Sequence, residues 1–508
     1  MNRKILIATI AIVIIIGAGV YAFTNESSQT SQINIDANAL EDRGSIVVDS
    51  ESLDESNGFY HTDVADNNTV LVKNGGTLKL SNSILNKSGD TNTSGDDADF
   101  YGVNSAILVN TNGTLEISNV EINTNSKGSN GIFVTNAEAS TTSDSSQGSG
   151  EAAQPQAGGD GGQPPEATGG DSGQGGQPTE ATGGEGQAPG SNSGGEQPGT
   201  STINGTTQAN IKNVKITTHG DKSRGLDATY GGIINAENVV INTDGQSCAA
   251  LATDRGEGEV HVSNSEINTG VSKTSGRGSP LIYSTGNITV KNTHGTAFVS
   301  QIACIEGKNS IELSNCNLSG YAEGNRKDGD EYVDLGGVFI YQSMSGDADV
   351  GTSLFTAENS KLTIPSDSPV YKEAPMFHVT NTACVINLDS TELSFGSGIF
   401  LEIAGQNQWG NTGSNGGIAE VNTNNEKIEG DVIVDSISSL NWTMKNTDFR
   451  GAINSTGNTT VNVAEGSTWT LTGDSSVSSL VVSGNIDYGE YTLTVNGKEY
   501  TSSNPYKG

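Results

Sequence analysis

The chain has 508 residues, only 32% of them hydrophobic and 5% aromatic, and 25 Lys and Arg against 59 Asp and Glu give a formal charge of −34. That is thin for one wide globular core, but enough for a narrow column whose stability accumulates coil by coil. The acidity excludes nucleic acid and anionic lipid surfaces, which are bound through basic patches, and favours cations, basic partners or neutral polysaccharide.

In chain order, Arg3 and Lys4 precede residues 5–23, which are apolar or small without interruption. This run is long enough to cross a bilayer and longer than the apolar core of a signal peptide. Positive charge ahead of it keeps the N-terminus cytoplasmic and sends the rest outside. Residues 1–23 are therefore expected to be a single-pass membrane anchor. Cleavage near Val20-Tyr21-Ala22, which would make the protein secreted, is the competing reading. Residues 24–64 are polar and read as a stalk and N-terminal cap, the cap starting near Ile46 to Val48.

Residues 65–500 repeat one phrase: an alternating apolar run, Asn, then another alternating run. It occurs as Leu78-Lys79-Leu80-Ser81-Asn82-Ser83-Ile84, Leu115-Glu116-Ile117-Ser118-Asn119-Val120, Ile211-Lys212-Asn213-Val214, Ala236-Glu237-Asn238-Val239, Val262-Ser263-Asn264-Ser265 and Leu313-Ser314-Asn315-Cys316. Neighbouring Asn residues from 213 to 315 are 25, 26, 28 and 23 apart. Period-2 alternation rich in Val, Ile and Thr is strand chemistry, and a fixed spacing in this range marks a solenoid. Asn tolerates a left-handed backbone and suits the bend between two strands, so stacked coils would align the Asn side chains in a ladder. A third strand is readable in Gly131-Ile132-Phe133-Val134, Ala250-Leu251-Ala252-Thr253, Pro280-Leu281-Ile282-Tyr283, Val338-Phe339-Ile340-Tyr341 and Met376-Phe377-His378-Val379. The expected fold is all-β: a right-handed parallel β-helix.

Residues 138–202 break the pattern with Gly159-Asp160-Gly161-Gly162-Gln163-Pro164-Pro165-Glu166 and a shorter echo at Gly176-Gln177-Pro178-Thr179-Glu180. Such a stretch cannot bury apolar surface and is expected to be a disordered loop extruded from one coil. Beyond Ser343 the repeat loosens, and the stretch from Trp409 to Gly417 reads as a longer loop carrying an exposed aromatic. Shorter coils from Val432 to Val495 are expected to taper and close the end.

The four cysteines lack metal-like spacing and read as buried free thiols, with a Cys248–Cys304 bridge left open. Cys316 takes an inward repeat position. The tandem phrases, with Gly278-Ser279-Pro280-Leu281-Ile282-Tyr283-Ser284-Thr285-Gly286 and Gly466-Ser467-Thr468-Trp469-Thr470-Leu471-Thr472-Gly473, resemble the adhesin-like β-helix proteins of microbial surfaces. That resemblance implies a pectate-lyase-like solenoid outside the cell, with an extracellular glycan or surface protein as partner. It specifies architecture more than activity.

Catalysis on such a scaffold needs paired carboxylates or a cation site with a nearby base. Asn242-Thr243-Asp244-Gly245 resembles the first motif of polygalacturonases, but its companion motifs do not follow and Asn242 reads as a turn residue. Asp254-Arg255-Gly256-Glu257-Gly258-Glu259 reads as a solvated turn. Asp347-Ala348-Asp349 and Asp328-Gly329-Asp330-Glu331 offer oxygen ligands for Ca²⁺ on local acidity alone, so no cofactor is expected. His61, His219, His261, His294 and His378 fall in different coils without ligand spacing, and His261 points outward. Asn204, Asn287, Asn441 and Asn458 open Asn-x-Ser/Thr sequons, which carry glycans where the host modifies them, but in so Asn- and Thr-rich a chain most arise by chance. No catalytic or metal residues are assigned. Trp409, Tyr283, Tyr341 and Tyr332 are the candidates for stacking on sugar, with packing in the column as the alternative for Tyr283 and Tyr341. The expected function is adhesion or glycan and matrix binding without chemistry. A polysaccharide lyase or hydrolase is the runner-up and a purely structural envelope component the third reading.

Overall fold

The structure, a computed structural model, describes residues 33, 35–93, 95–138, 205–274, 278–322, 326–328, 331–333, 336–343 and 345–507. The expected anchor at residues 5–23 lies outside the described residues, as does nearly all of the acidic stretch at 138–202. Among the described residues, no helix is long and apolar enough to cross a membrane.

The regular structure of the described residues is almost all strand, and nearly every strand pairs in parallel with its counterpart one coil away. Sheet A has 21 strands and sheet B has 13, and a four-stranded sheet joins them in the C-terminal coils. Among the described residues, helix is confined to a 3-10 turn at Ala37–Ala39 and one short α-helix, Gly95–Tyr101. This is the arrangement of a parallel β-helix solenoid.

The Asn phrase builds it. The strands Thr77–Lys87, Thr114–Thr124, Gln208–Thr218 and Ile233–Thr243 each run 11 residues and bend at the sixth. Those sixth residues, Asn82, Asn119, Asn213 and Asn238, have φ of 47°, 54°, 53° and 56°. Asn pays little for that left-handed conformation, so the strand folds into two limbs without losing its pairing. The side chains then file vertically. Asn213 Nδ2 donates to Asn119 Oδ1 at 3.2 Å, Asn238 to Asn213 at 2.5 Å, Asn292 to Asn264 at 3.0 Å and Asn315 to Asn292 at 3.2 Å.

The residue after the bend turns inward, and where it is Ser its hydroxyl ties coils together. Ser83, Ser265, Ser360 and Ser467 accept from the backbone N–H groups of Gly58, Val239, Cys316 and Thr447, at 3.0–3.1 Å. Glu426 fills the same position and accepts from Thr391 N at 2.8 Å. It is buried at 2% exposure, and its Oε2 finds no hydrogen-bond partner. Burial pushes this carboxyl up to about 8, against the Thr391 hydrogen bond that favours the charged form. The folded state therefore holds a proton that the unfolded chain releases, and Glu426 costs stability increasingly as pH rises from the ordinary carboxyl range through about 8. Glu426→Gln should match the parent in thermal unfolding at pH 5 and exceed it by on the order of a few kcal/mol at pH 9. An equal difference at both pH values would mean that the carboxylate is ionised and hydrated.

Val, Ile and Leu fill the column in the N-terminal coils, and aromatic rings fill it further on. Phe355, Phe377, Phe400, Trp442, Phe449 and Trp469 follow one another with ring centroids 4.7–6.0 Å apart. Thr114–Thr124 pairs with Gln208–Thr218, and Ile132–Thr135 with Leu226–Thr229, so residues 139–204 separate two successive coils. At the N-terminal end, Ile46–Asp49 pairs with Val70–Lys73 as the first strand of sheet B, so the segment read as a cap is a coil strand. The C-terminal end turns back in an antiparallel pair, Leu493–Val495 with Lys498–Tyr500. All four cysteines are buried, and none forms a disulfide among the described residues.

Candidate functional site

Two surfaces stand out, and the first is the outer face of sheet B. Along Leu226–Thr229, Leu226 and Ala228 enter the column, so Asp227 and Thr229 point away from it, yet all four are buried. Register carries one outward file through Phe133, Asp227, Ala252, Tyr283, Cys304, Phe339, His378 and Glu402. The chain itself covers this face. The helix Gly95–Tyr101 lies over it, with Phe100 O accepting from Thr229 Oγ1 at 2.8 Å and Tyr101 stacked on Tyr230 at 5.5 Å. Gly102, at φ 68°, lets the chain leave the helix so close to Phe133 that a Cβ would sit 2.5 Å from the ring.

Under this cover lies a desolvated charge centre. Arg224 reaches Asp99 and Asp254 at 2.6 Å each and Asp227 at 3.8 Å, while Lys222 holds the other Asp99 oxygen at 2.8 Å. Asp227 is 0% exposed, Asp99 2% and Asp254 5%. Burial pushes Asp227 well above the usual carboxylate range, helped by the Asp254 charge, and raises Asp254 to about 6 despite Arg224. Burial also opposes ionisation of Asp99, but Arg224 and Lys222 outweigh it and hold that carboxyl low. Three carboxylates thus face two cations, and the charge balances when the Asp227–Asp254 pair keeps one proton. Asp227, farthest from Arg224, is the group that carries it.

Beside this centre lies an aromatic cluster. Phe339 stacks on Tyr341 at 4.5 Å, and Trp409, from the loop after Ile399–Ile403, packs on Tyr341 at 4.9 Å. Tyr283 packs on the same group and donates to Glu306 Oε2 at 2.9 Å, and Ser343 donates to the other Glu306 oxygen. Arg255 lies 3.7 Å over the Phe100 ring and donates through Nε to Asp347 at 3.0 Å.

The second surface is a groove of about 820 Å³ along sheet A, on the limb before the Asn bend. Its lining changes one residue per coil: Asp54, Lys79, Glu116, Asn210, Asn235, His261 and Thr289 stand in one register file. Opposite charges cancel along it, Lys79 to Glu116 at 2.8 Å and Lys212 to Glu237 at 3.0 Å.

The structure thus gathers Tyr283, Tyr341 and Trp409 in one place, though not as exposed platforms. Trp409 is 6% exposed, because its indole closes over Tyr341 and Phe339, which corrects the reading of an exposed loop aromatic. Tyr283 and Tyr341 pack outside the column, in a cluster of their own. Tyr332 falls in Glu331–Val333, paired with Arg326–Asp328 away from the long sheets and opposite Lys327. Asp254 and Arg255 are not a solvated turn: Asp254 is buried against Arg224, and Arg255 joins Asp347 across 92 residues. Asn242 is a strand residue, opposite Thr217 and Asn268, and accepts from Asn268 Nδ2 at 3.1 Å in a second amide ladder. Among the described residues, no group of three or more His, Cys, Asp or Glu is placed to hold a metal ion.

No protein-family model matches the chain, and no curated protein matches it. Sequence reasoning missed Asp99, Lys222, Arg224, Asp227 and Glu306. The signal for Asp227 was there: a carboxylate in the short strand Leu226-Asp227-Ala228-Thr229, where sister coils carry Phe133, Ala252 or Tyr283. Asp99 gave none, since it arrives from another coil on the covering helix.

Proposed function

We propose that this chain is an adhesin-like surface protein whose acidic solenoid, right-handed and pectate-lyase-like, binds extracellular glycan or matrix without chemistry. Residues 1–23 anchor it in the cell membrane as a single span, and the rest stands outside. The observation that carries the reading is the sheet A groove: a charge-cancelled surface crossing seven coils. Such a surface suits an extended, hydroxyl-rich polymer better than nucleic acid or anionic lipid, which a chain of formal charge −34 repels.

Polysaccharide hydrolysis is a second reading, favoured by the Asp227–Asp254 pair, a proton-carrying carboxyl beside an ionisable one. Against it stands access, since both are buried under the helix Gly95–Tyr101. A glycan array combined with a reducing-end assay on residues 24–508 separates the two. Saturable binding with no product is expected. Product release abolished by Asp227→Asn or Asp254→Asn would transfer the function to sheet B.

A further inference from the structure

We infer that the sheet A groove takes a neutral, linear, β-linked hexopyranose polymer lying along the solenoid axis with one sugar per coil; this rests on the binding role proposed above. Three observations select that ligand.

The first is charge. Two of the three lysines that line the groove are already paired, Lys79 with Glu116 and Lys212 with Glu237, and Lys291 stands at its far end. A uronate or sulfate polymer would have to break those pairs and approach an acidic protein. A neutral chain does neither.

The second is pitch. Groove residues recur once per coil, and hydrogen-bonded strands lie ~4.8 Å apart, so the seven positions from Asp54 to Thr289 span roughly 29 Å. An extended peptide advances only ~3.3 Å per residue and falls out of step within a few coils. An extended β-1,4-linked hexopyranose chain advances by nearly the coil spacing, so each sugar stays over its own coil.

The third is donor and acceptor supply. Asn210 and Asn235 are exposed and joined by a ladder bond, Asn235 Nδ2 to Asn210 Oδ1 at 3.2 Å. Each amide carries two donor hydrogens and a carbonyl oxygen, so the bonded pair keeps hydrogens and lone pairs free to face outward. His261 and Ser263 extend the polar surface on the next coil, and Thr289 on the one after. No Phe, Tyr or Trp is among the residues that line the groove, so recognition runs through hydroxyl hydrogen bonds repeated along the chain.

The test is a length series of neutral β-linked gluco- and manno-oligosaccharides titrated calorimetrically into the full chain in detergent, beside an oligouronate series. Affinity should rise with each sugar, level off near seven, and change little with salt. Asn210→Ala combined with Asn235→Ala should weaken binding at least tenfold while leaving the circular dichroism spectrum and melting temperature in place. Affinity independent of length, preference for the uronates, or unchanged binding by the double variant would overturn the groove assignment while leaving a binding role intact. Failure to bind any glycan or matrix component, or release of reducing ends, would overturn the binding role itself.

Discussion

Arg224→Met is expected to lower stability by about 3–5 kcal/mol at pH 7, read as a fall in the urea midpoint, because it strands buried carboxylates without their counter-charge. The guanidinium touches Asp99 and Asp254 at 2.6 Å and is itself 8% exposed, so water cannot take its place cheaply. The effect has a pH signature. Asp99 is held below the usual carboxylate range, so its contribution is present above that range and is lost as pH falls through its folded value. Without Arg224 that contribution disappears, and the gap between parent and variant should narrow steadily towards acid. Adding Asp227→Asn and Asp254→Asn to the variant should restore much of the loss at neutral pH. A gap below 1 kcal/mol, or one indifferent to pH, would show that the centre is hydrated.

Trp442→Ala should cost a similar amount, about 3–5 kcal/mol, through the cavity it leaves. Trp442 is 0% exposed, lies between Phe400 at 5.5 Å and Phe449 at 4.7 Å, and donates from Nε1 to Thr423 Oγ1 at 3.2 Å. Because each coil touches only its neighbours, the damage should stay local. Hydrogen exchange should quicken in the strands from Ile418 onward while Thr77–Lys87 and Thr114–Thr124 keep their protection. Uniform loss across both ends would mean that the solenoid unfolds as one cooperative unit. Trp442→Phe should retain most of the stability, since a ring still bridges Phe400 and Phe449.

The contrast between these two sites explains what could be read in advance. Leu78, Leu80, Asn82 and their counterparts repeat because each coil solves the same local problem, an alternating face and a left-handed bend, so sequence spacing alone predicts stacking. The partners of Arg224 obey no such rule. Asp99 meets it from 125 residues away, and Asp254 comes from the next coil, at a position that resembles any polar turn. Trp409 misled for the same reason: nothing near it in sequence announces that Tyr341 will cover one face of its ring. Within a coil the chain is periodic and legible; the excursions that cover sheet B are each unique.

The pairing between Gln208–Thr218 and Ile233–Thr243 keeps an offset of 25 residues at every position, and Leu226 meets Leu251 with the same offset in the other sheet. Backbone bonding therefore does not distinguish one of these storeys from the other. Excising residues 220–244 would join His219 to Gly245, where Gly220 had stood, and the backbone of the strands above would settle onto those below, provided that Asp99 and Asp254, which lose Lys222 and Arg224 with that coil, are made neutral as well. The height of the tower is adjustable one floor at a time, and its reach from whatever it stands on can change without redesigning the masonry.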